Sequence, residues 1–219
     1  MKPSRWPFIA GALFAVLYVA GLFMDDGVPS SSSDHELEAF WRAGSHPELI
    51  VAGLITAVSA PILLWFAVSI LGLLEAAGER TLGLVALASG IVYAALTVVG
   101  AGMVSTIPVA MQFEHVPAPS AEVARWLPAV AYSMLIEFGL VLVVAFIVAT
   151  SVAVLRSQAL PRWIGYLGLV AAVLSIATAT VAPMVVAMLW FVVTSVVLVV
   201  SPPSRQAWRE VSLPSPPIS

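Results

Sequence analysis

The chain has 219 residues, of which 61% are hydrophobic and only 10% are charged, and its formal net charge is −3. Soluble domains carry roughly 25% charged residues. This composition therefore excludes a soluble globular domain, a disordered chain and a nucleic-acid-binding protein. Because the chain has no cysteine, disulfides, thiolate metal sites and cysteine nucleophiles are excluded as well. The composition predicts an all-α integral membrane protein that crosses the bilayer several times.

Six apolar segments approach or exceed the length of about 20 residues that a helix needs to cross a bilayer. In chain order they are Phe8–Met24, Leu49–Leu74, Leu82–Ile107, Pro128–Leu155, Trp163–Val181 and Pro183–Val200. Very little chain separates the last two, so we expect a tight hairpin at Thr180–Pro183, where proline suits the first turn of a helix. The predicted fold is one six-helix transmembrane bundle over residues 1–200, followed by a proline-rich cytoplasmic tail over residues 201–219.

The basic residues support this count of helices and give the bundle an orientation. With the N-terminus in the cytoplasm, the outer side holds only Arg42 and Arg125. The inner side then holds Lys2, Arg5, Arg80, Arg156, Arg162, Arg205 and Arg209. Basic residues concentrate on the cytoplasmic side of membrane proteins. We therefore expect a multi-pass protein of the cell (cytoplasmic or inner) membrane with both termini inside.

The longest predicted outer loop, over residues 25–47, contains a signal for the start of a helix. Ser33 followed by Glu36 three residues later has the pattern of a capping box. The apolar residues that follow fall on one helical face: Leu37, Phe40 and Trp41. The loop therefore predicts a short amphipathic helix on the outer membrane surface or across the mouth of the bundle. Such a helix either covers the ends of other helices or acts as a mobile gate over a cavity.

Glu137 is the most informative polar residue because it interrupts the fourth apolar segment. Counted from Pro128 at 1.5 Å per residue, it lies about 14 Å below the outer surface. A carboxylate at that depth costs roughly 2.5–3.5 kcal/mol, so we expect it to face the bundle interior. Hydroxyl side chains at similar predicted depths are Thr56, Ser59, Thr97, Ser133 and Thr194. Together they form either a proton relay or ligand site, or a purely structural hydrogen-bonded layer.

All three histidines fall in predicted outer loops, beside carboxylates. Imidazole and carboxylate groups together suit zinc or another divalent metal. The candidate metal ligands are His35, His46, Glu48, Glu114 and His115. The chain has no HExxH motif and no histidine pair at four-residue spacing. Solvated loop residues are therefore the alternative interpretation, and we expect no cofactor.

Small residues recur at helical spacing in the third and fifth segments, which lets helix backbones approach closely. The rows are Ala86, Gly90, Ala94 and Gly102 in the third segment, and Gly165, Gly168 and Ala172 in the fifth. Such rows either pack helices within one chain, or drive self-association or binding to another membrane protein.

Three short motifs carry a family resemblance: Trp41–Gly44 in the acidic outer loop, Gly78–Gly83 before the third segment and Leu160–Gly168 before the fifth. Their order is similar to that in uncharacterised bacterial (actinobacterial-type) integral membrane proteins filed under a domain of unknown function. The resemblance implies a six-helix membrane bundle and carries no activity.

The sequence contains no P-loop, no GxSxG motif and no dinucleotide-binding fingerprint. It therefore favours an accessory or interaction protein of the cell membrane over an enzyme, with lipid and another membrane protein as partners. One alternative is a proton-coupled or small-solute transporter that uses Glu137. A second is an outward-facing, metal-dependent membrane enzyme. A cavity lined by Glu137 would favour the transporter, and converging histidines would favour the enzyme.

Overall fold

The computed structural model describes residues 6–24, 33–177 and 182–200, and these ranges are helical apart from short connections. The helices are α1 (Trp6–Met24), α2 (Asp34–Ala43), α3 (Pro47–Ala76), α4 (Arg80–Phe113), α5 (Ala121–Tyr132), α6 (Gly139–Ser157), α7 (Arg162–Ala177) and α8 (Ala182–Val200). A π-helical turn, Ser133–Phe138, joins α5 to α6 in one continuous helix. The proline-rich tail and the first two residues of the expected hairpin at Thr180–Pro183 lie outside the described residues.

Each of the six predicted apolar segments is helical over its described residues, which confirms an all-helical, membrane-type architecture. Four helices in the described ranges are long and apolar enough to cross a membrane: Pro47–Ala76, Arg80–Phe113, Ala121–Ser157 and Pro183–Val200. Two further apolar helices, Phe8–Met24 and Arg162–Ile176, are shorter. The largest difference from the predicted bounds is in the fourth segment. Its helix begins at Ala121, seven residues before Pro128, because Ser120 caps it by accepting a hydrogen bond from the N–H of Val123.

Six of the helices pack as a closed ring in the order α1, α3, α4, α6, α7 and α8, with α8 returning to α1. Aromatic rings from four of them meet at its centre. The ring of Phe191 lies 5.2 Å from that of Phe14, 5.7 Å from that of Phe66 and 5.5 Å from that of Phe146. Since all four side chains are fully or almost fully buried, the middle of the bundle is filled by packed rings.

At one end of the bundle, which we call the cap end, α2 lies over the longer helices and confirms the predicted amphipathic helix. The capping box forms: the carboxylate of Glu36 accepts from the N–H of Ser33 at 3.0 Å, and the hydroxyl of Ser33 accepts from the N–H of Glu36 at 3.4 Å. A second hydrophobic cluster joins α2 to α3, α4 and α5, and consists of Leu37, Trp41, Leu49, Ile107 and Ala124. The structure thus places α2 over the cap-end parts of α3, α4 and α5.

The opposite end, which we call the arginine end, carries Arg80, Arg156 and Arg162. Arg80 pairs with Glu75 at 3.2 Å, and Arg156 pairs with Glu79 at 3.4 Å. These contacts tie the turn between α3 and α4 to the end of α6. Arg42 and Arg125 lie at the cap end, so the described arginines divide between the two ends as the sequence predicts.

The small-residue rows pack helices against one another within the chain. A Cβ atom on Gly90 would lie 3.3 Å from the Cβ of Ala67, and one on Gly165 would lie 3.0 Å from the carbonyl oxygen of Ser151. Gly102 differs, because no atom lies within 4 Å of the position that its Cβ would take. The rows therefore serve intramolecular packing everywhere except at Gly102.

Candidate functional site

Glu137 lies in the π turn, with its side chain exposed on the outside of the bundle. The expectation that it faces the interior is therefore wrong. The buried positions of this helix recur at Ala131, Leu135, Gly139 and Val143. Since Glu137 falls midway between Leu135 and Gly139, it projects from the opposite side of the helix.

The depth of Glu137 in a bilayer stays a prediction, whereas its level along the bundle follows from packing contacts of the same helix. A Cβ atom on Gly139 would lie 2.8 Å from Cε2 of Tyr93, and the hydroxyl of Tyr93 lies 4.0 Å from the sulfur of Met184 near the start of α8. Glu137 therefore lies close to the level at which α8 begins. About 28 Å of helix separates it from Arg156, which is close to the roughly 30 Å thickness of a hydrocarbon core.

The carboxylate of Glu137 sits on an apolar surface. Phe138 and Val141 beside it are 63% and 67% exposed. Further towards the cap end, the same continuous helix exposes Trp126 and Val130. We call these five residues the Glu137 face. Within the described ranges the carboxylate of Glu137 has no hydrogen bond and no ion pair. The face therefore combines an unpaired anion with exposed apolar and aromatic side chains near one end of the apolar bundle.

The hydroxyl residues predicted to share a layer with Glu137 are not bonded to it. Thr56 and Thr97 are buried and donate to carbonyls of their own helices, at 3.0 Å to Ala52 and 2.9 Å to Tyr93. Ser59 donates to the carbonyl of Thr56 at 2.6 Å.

The other two predicted members of this layer also lie apart from the carboxylate. Ser133 is half-buried at the start of the π turn. Thr194 is fully buried, six residues from the end of α8 at the arginine end. The predicted single layer is thus divided between the two halves of the bundle.

Tyr18 is a residue of this region that sequence analysis missed. Its side chain is fully buried, and its hydroxyl donates to the carbonyl of Leu135 in the π turn at 2.9 Å. Its ring lies 5.9 Å from that of Tyr93. A tyrosine within an apolar segment was the available signal, because a buried phenol needs a hydrogen-bond partner.

The predicted metal ligands come together only in part. His46 lies 2.9 Å from a carboxylate oxygen of Glu48 through Nδ1, and 2.9 Å from the carbonyl oxygen of Phe40 through Nε2. Its ring also stacks on that of Phe40 at 3.7 Å. His46 therefore fastens α2 to the start of α3, with both ring nitrogens engaged.

The remaining candidate ligands, His35, Glu114 and His115, are exposed. Among the residues that the structure describes, no group of three histidine, cysteine, aspartate or glutamate side chains is placed to hold a metal ion. The pair formed by His46 and Glu48 thus gains no third ligand there.

A small apolar groove opens between α1 and α8. It is lined by Val19, Leu22, Phe23, Met184 and Val185. Because no polar side chain lines it, the groove suits a hydrocarbon chain and offers no group that would orient a polar substrate.

Comparison with known proteins identifies a family without an assigned activity. Residues 9–204 match the family model described as Domain of unknown function (DUF4386). The chain therefore belongs to this family. No curated protein and no solved structure matches the chain.

Proposed function

We propose that this member of the DUF4386 family is an accessory protein of the cell membrane that binds another membrane protein through the Glu137 face. In this proposal α1, α3, α4, the continuous helix α5–α6, α7 and α8 cross the bilayer, and α2 lies outside. The arginine end faces the cytoplasm. The described arginines support this orientation, because Arg80, Arg156 and Arg162 lie at that end and basic residues concentrate on the cytoplasmic side.

The observation that carries the proposal is the unpaired carboxylate of Glu137 on an exposed apolar surface. Near the outer limit of the hydrocarbon core, a charge is poorly solvated and gains from a partner. The matching partner is a transmembrane helix with a lysine or arginine near its outer end. Its apolar side chains would pack against Phe138 and Val141, while its cation pairs with Glu137.

The packing of the bundle supports binding ahead of transport. The rings of Phe14, Phe66 and Phe146 surround that of Phe191 at the centre of the helices. A solute path through the bundle would have to separate these rings, whereas binding at the Glu137 face requires no rearrangement of the core.

Site-specific photo-crosslinking in intact membranes tests the proposal. A photoreactive amino acid replaces Phe138, beside the carboxylate, and in a matched control it replaces Trp65, which is 62% exposed on α3. We expect an adduct with one membrane protein at position 138 and none at position 65. The Glu137→Asp variant should retain the adduct, and the Glu137→Gln variant should lose it.

The identity of the crosslinked peptide decides the outcome. Support requires a partner helix with a lysine or arginine near its outer end. Support also requires a charge exchange. Glu137→Lys in this chain alone should abolish the adduct, and replacing the basic residue of the partner by glutamate should then restore it. An adduct with lipid alone, or with a second copy of this chain, would overturn the proposal of a different protein partner.

A further inference from the structure

Most buried serine and threonine hydroxyls of the bundle fall into two sets; Ser175 belongs to neither, because it donates to the carbonyl of Pro183 in α8 at 3.2 Å. In the first set the hydroxyl donates to a carbonyl of its own helix, as serine and threonine in helices commonly do. Examples are Thr56, Ser89 and Thr97, at 3.0, 2.9 and 2.9 Å. In the second set the hydroxyl oxygen is buried without any hydrogen-bond partner among the described residues: Thr150, Ser151, Thr194 and Ser195. The indole Nε1 of Trp190 is buried without a partner as well.

The second set lies at one level of the bundle. Ring contacts join Phe146 of α6 to Trp190 and Phe191 of α8, at 6.3 and 5.5 Å. Both helices run towards the arginine end, since α7 returns between them. One turn further on, Phe146 is followed by Thr150, Trp190 by Thr194, and Phe191 by Ser195. The hydroxyls therefore form a layer directly beneath the aromatic centre.

Two glycines allow the backbones of neighbouring helices to approach this layer closely. The hydroxyl of Ser151 and the Nε1 atom of Trp190 both lie within 2.6 Å of the position that a Cβ atom on Gly168 of α7 would take. The hydroxyl of Ser195 lies 2.5 Å from the corresponding position on Gly11 of α1. The absence of side chains at these glycines brings two further backbones against the polar groups, so the layer is enclosed by α1, α6, α7 and α8.

Buried polar groups are rarely left unpaired, and an internal water molecule usually bonds the groups that lack a protein partner. We propose that Thr150, Ser151, Trp190, Thr194 and Ser195 form an internal binding site for water. A hydroxyl both donates and accepts, whereas an indole only donates. The ligand must therefore accept from Trp190 and exchange hydrogen bonds with the hydroxyls. None of the five side chains is charged, which favours an uncharged ligand, and the two close glycines favour a very small one.

Water-edited solid-state NMR of the full chain in lipid bilayers, with ¹⁵N-labelled tryptophan, tests the site. The Trp190 indole signal is assigned by its loss in Trp190→Phe. We expect this signal to receive magnetisation from water at short mixing times, although the side chain is 1% exposed. The transfer should be lost in the double variant Ser151→Ala and Thr194→Val. The matched control, Ser89→Ala and Thr97→Val, should retain it, because those hydroxyls bond to their own helix.

Three results would overturn the proposal, and the third is a special case of the first. The first is a visible Trp190 signal that receives nothing from water in the unaltered chain. The second is transfer that persists unchanged in the double variant. A Trp190 signal that shifts in Ser151→Ala and shows no water transfer in either form would show a direct bond between the two side chains, which also overturns it. If the double variant does not fold, the single variants Thr150→Val and Ser195→Ala supply the same comparison.

Discussion

The hydroxyl of Tyr18 donates a hydrogen bond to the carbonyl of Leu135 at 2.9 Å, across a separation of 117 residues. Leu135 lies in the π turn, where the helical hydrogen-bond register is locally altered and helices often carry functional residues. The bond therefore ties α1 to the turn that exposes Glu137 two residues later. It couples the position of the Glu137 face to the packing of α1.

Replacing Tyr18 by phenylalanine should destabilise the protein by about 1–3 kcal/mol, because the buried carbonyl of Leu135 loses the donor that satisfies it. Thermal unfolding in detergent, followed by circular dichroism, measures the change. Tyr166→Phe is the control, since Tyr166 is 61% exposed and its hydroxyl can bond to solvent. Equal stabilities of the two variants would contradict the structural role of the Tyr18 bond.

Local sequence signals predicted the parts of the fold that depend on neighbouring residues. The capping box at Ser33 and Glu36 marked the start of α2 because both partners lie within one turn. The small residue Gly90 marked a close helix contact because only its size matters there.

The position of Glu137 could not be predicted because it depends on where the helix starts and how it is rotated. Pro128 looked like the first residue of a membrane helix, yet the helix passes through it and begins at Ala121. An almost uniformly apolar segment has no polar face to indicate rotation. Contacts such as those of Phe191 or Tyr18 join distant helices, and single-chain patterns contain no record of such pairs.

Gly100 and Gly102 provide a matched test of helix packing, because both are glycines in α4. A Cβ atom on Gly100 would lie 2.6 Å from Cγ of Leu135 and 3.2 Å from the carbonyl oxygen of Ala131, whereas the corresponding position on Gly102 is open. Gly100→Ala should therefore lower the free energy of unfolding by about 1–3 kcal/mol through overpacking. Gly102→Ala should raise it by up to about 1 kcal/mol through the better helix propensity of alanine.

Chemical unfolding in mixed micelles measures both glycine variants. Opposite signs for the two are the expected outcome, and destabilisation by Gly102→Ala would indicate that a partner or a second copy packs on that exposed face.

His46 should hold α2 against the bundle. Its two ring nitrogens contact Glu48 and the carbonyl of Phe40, and its ring stacks on that of Phe40. His46→Ala should free α2 without unfolding the helices below it, because the aromatic centre around Phe191 does not involve α2. Since the chain has no cysteine, a single spin label at Ala39→Cys reports the motion of α2 by electron paramagnetic resonance.

The spectrum of that label should become markedly more mobile in His46→Ala. His35→Ala is the control, because His35 is exposed in the first turn of the same helix, and it should leave the spectrum unchanged. An equally immobile label in both variants would mean that His46 is not needed and that the other contacts of α2, the cluster of Leu37 and Trp41 and the ion pair between Asp34 and Arg125, hold it in place.

The proposed orientation predicts which ends of the bundle reagents can reach in intact cells. Gln158, between α6 and α7, lies at the arginine end, and Ala39 on α2 lies at the cap end; both side chains are exposed. A membrane-impermeant maleimide should label Ala39→Cys in intact cells and label Gln158→Cys only after permeabilisation. The physical reason is that Arg156 and Arg162, which flank Gln158, are retained on the cytoplasmic side during insertion.

The reverse pattern would invert the bundle and move Glu137 towards the cytoplasmic boundary. The proposed partner would then need its cation at the inner end of its helix. Equal labelling at both positions in intact cells would place both on the outer side. An even number of crossings would then separate α2 from the connection between α6 and α7, so one of α3, α4 and the continuous helix α5–α6 would not span the bilayer, and the proposed topology would be wrong.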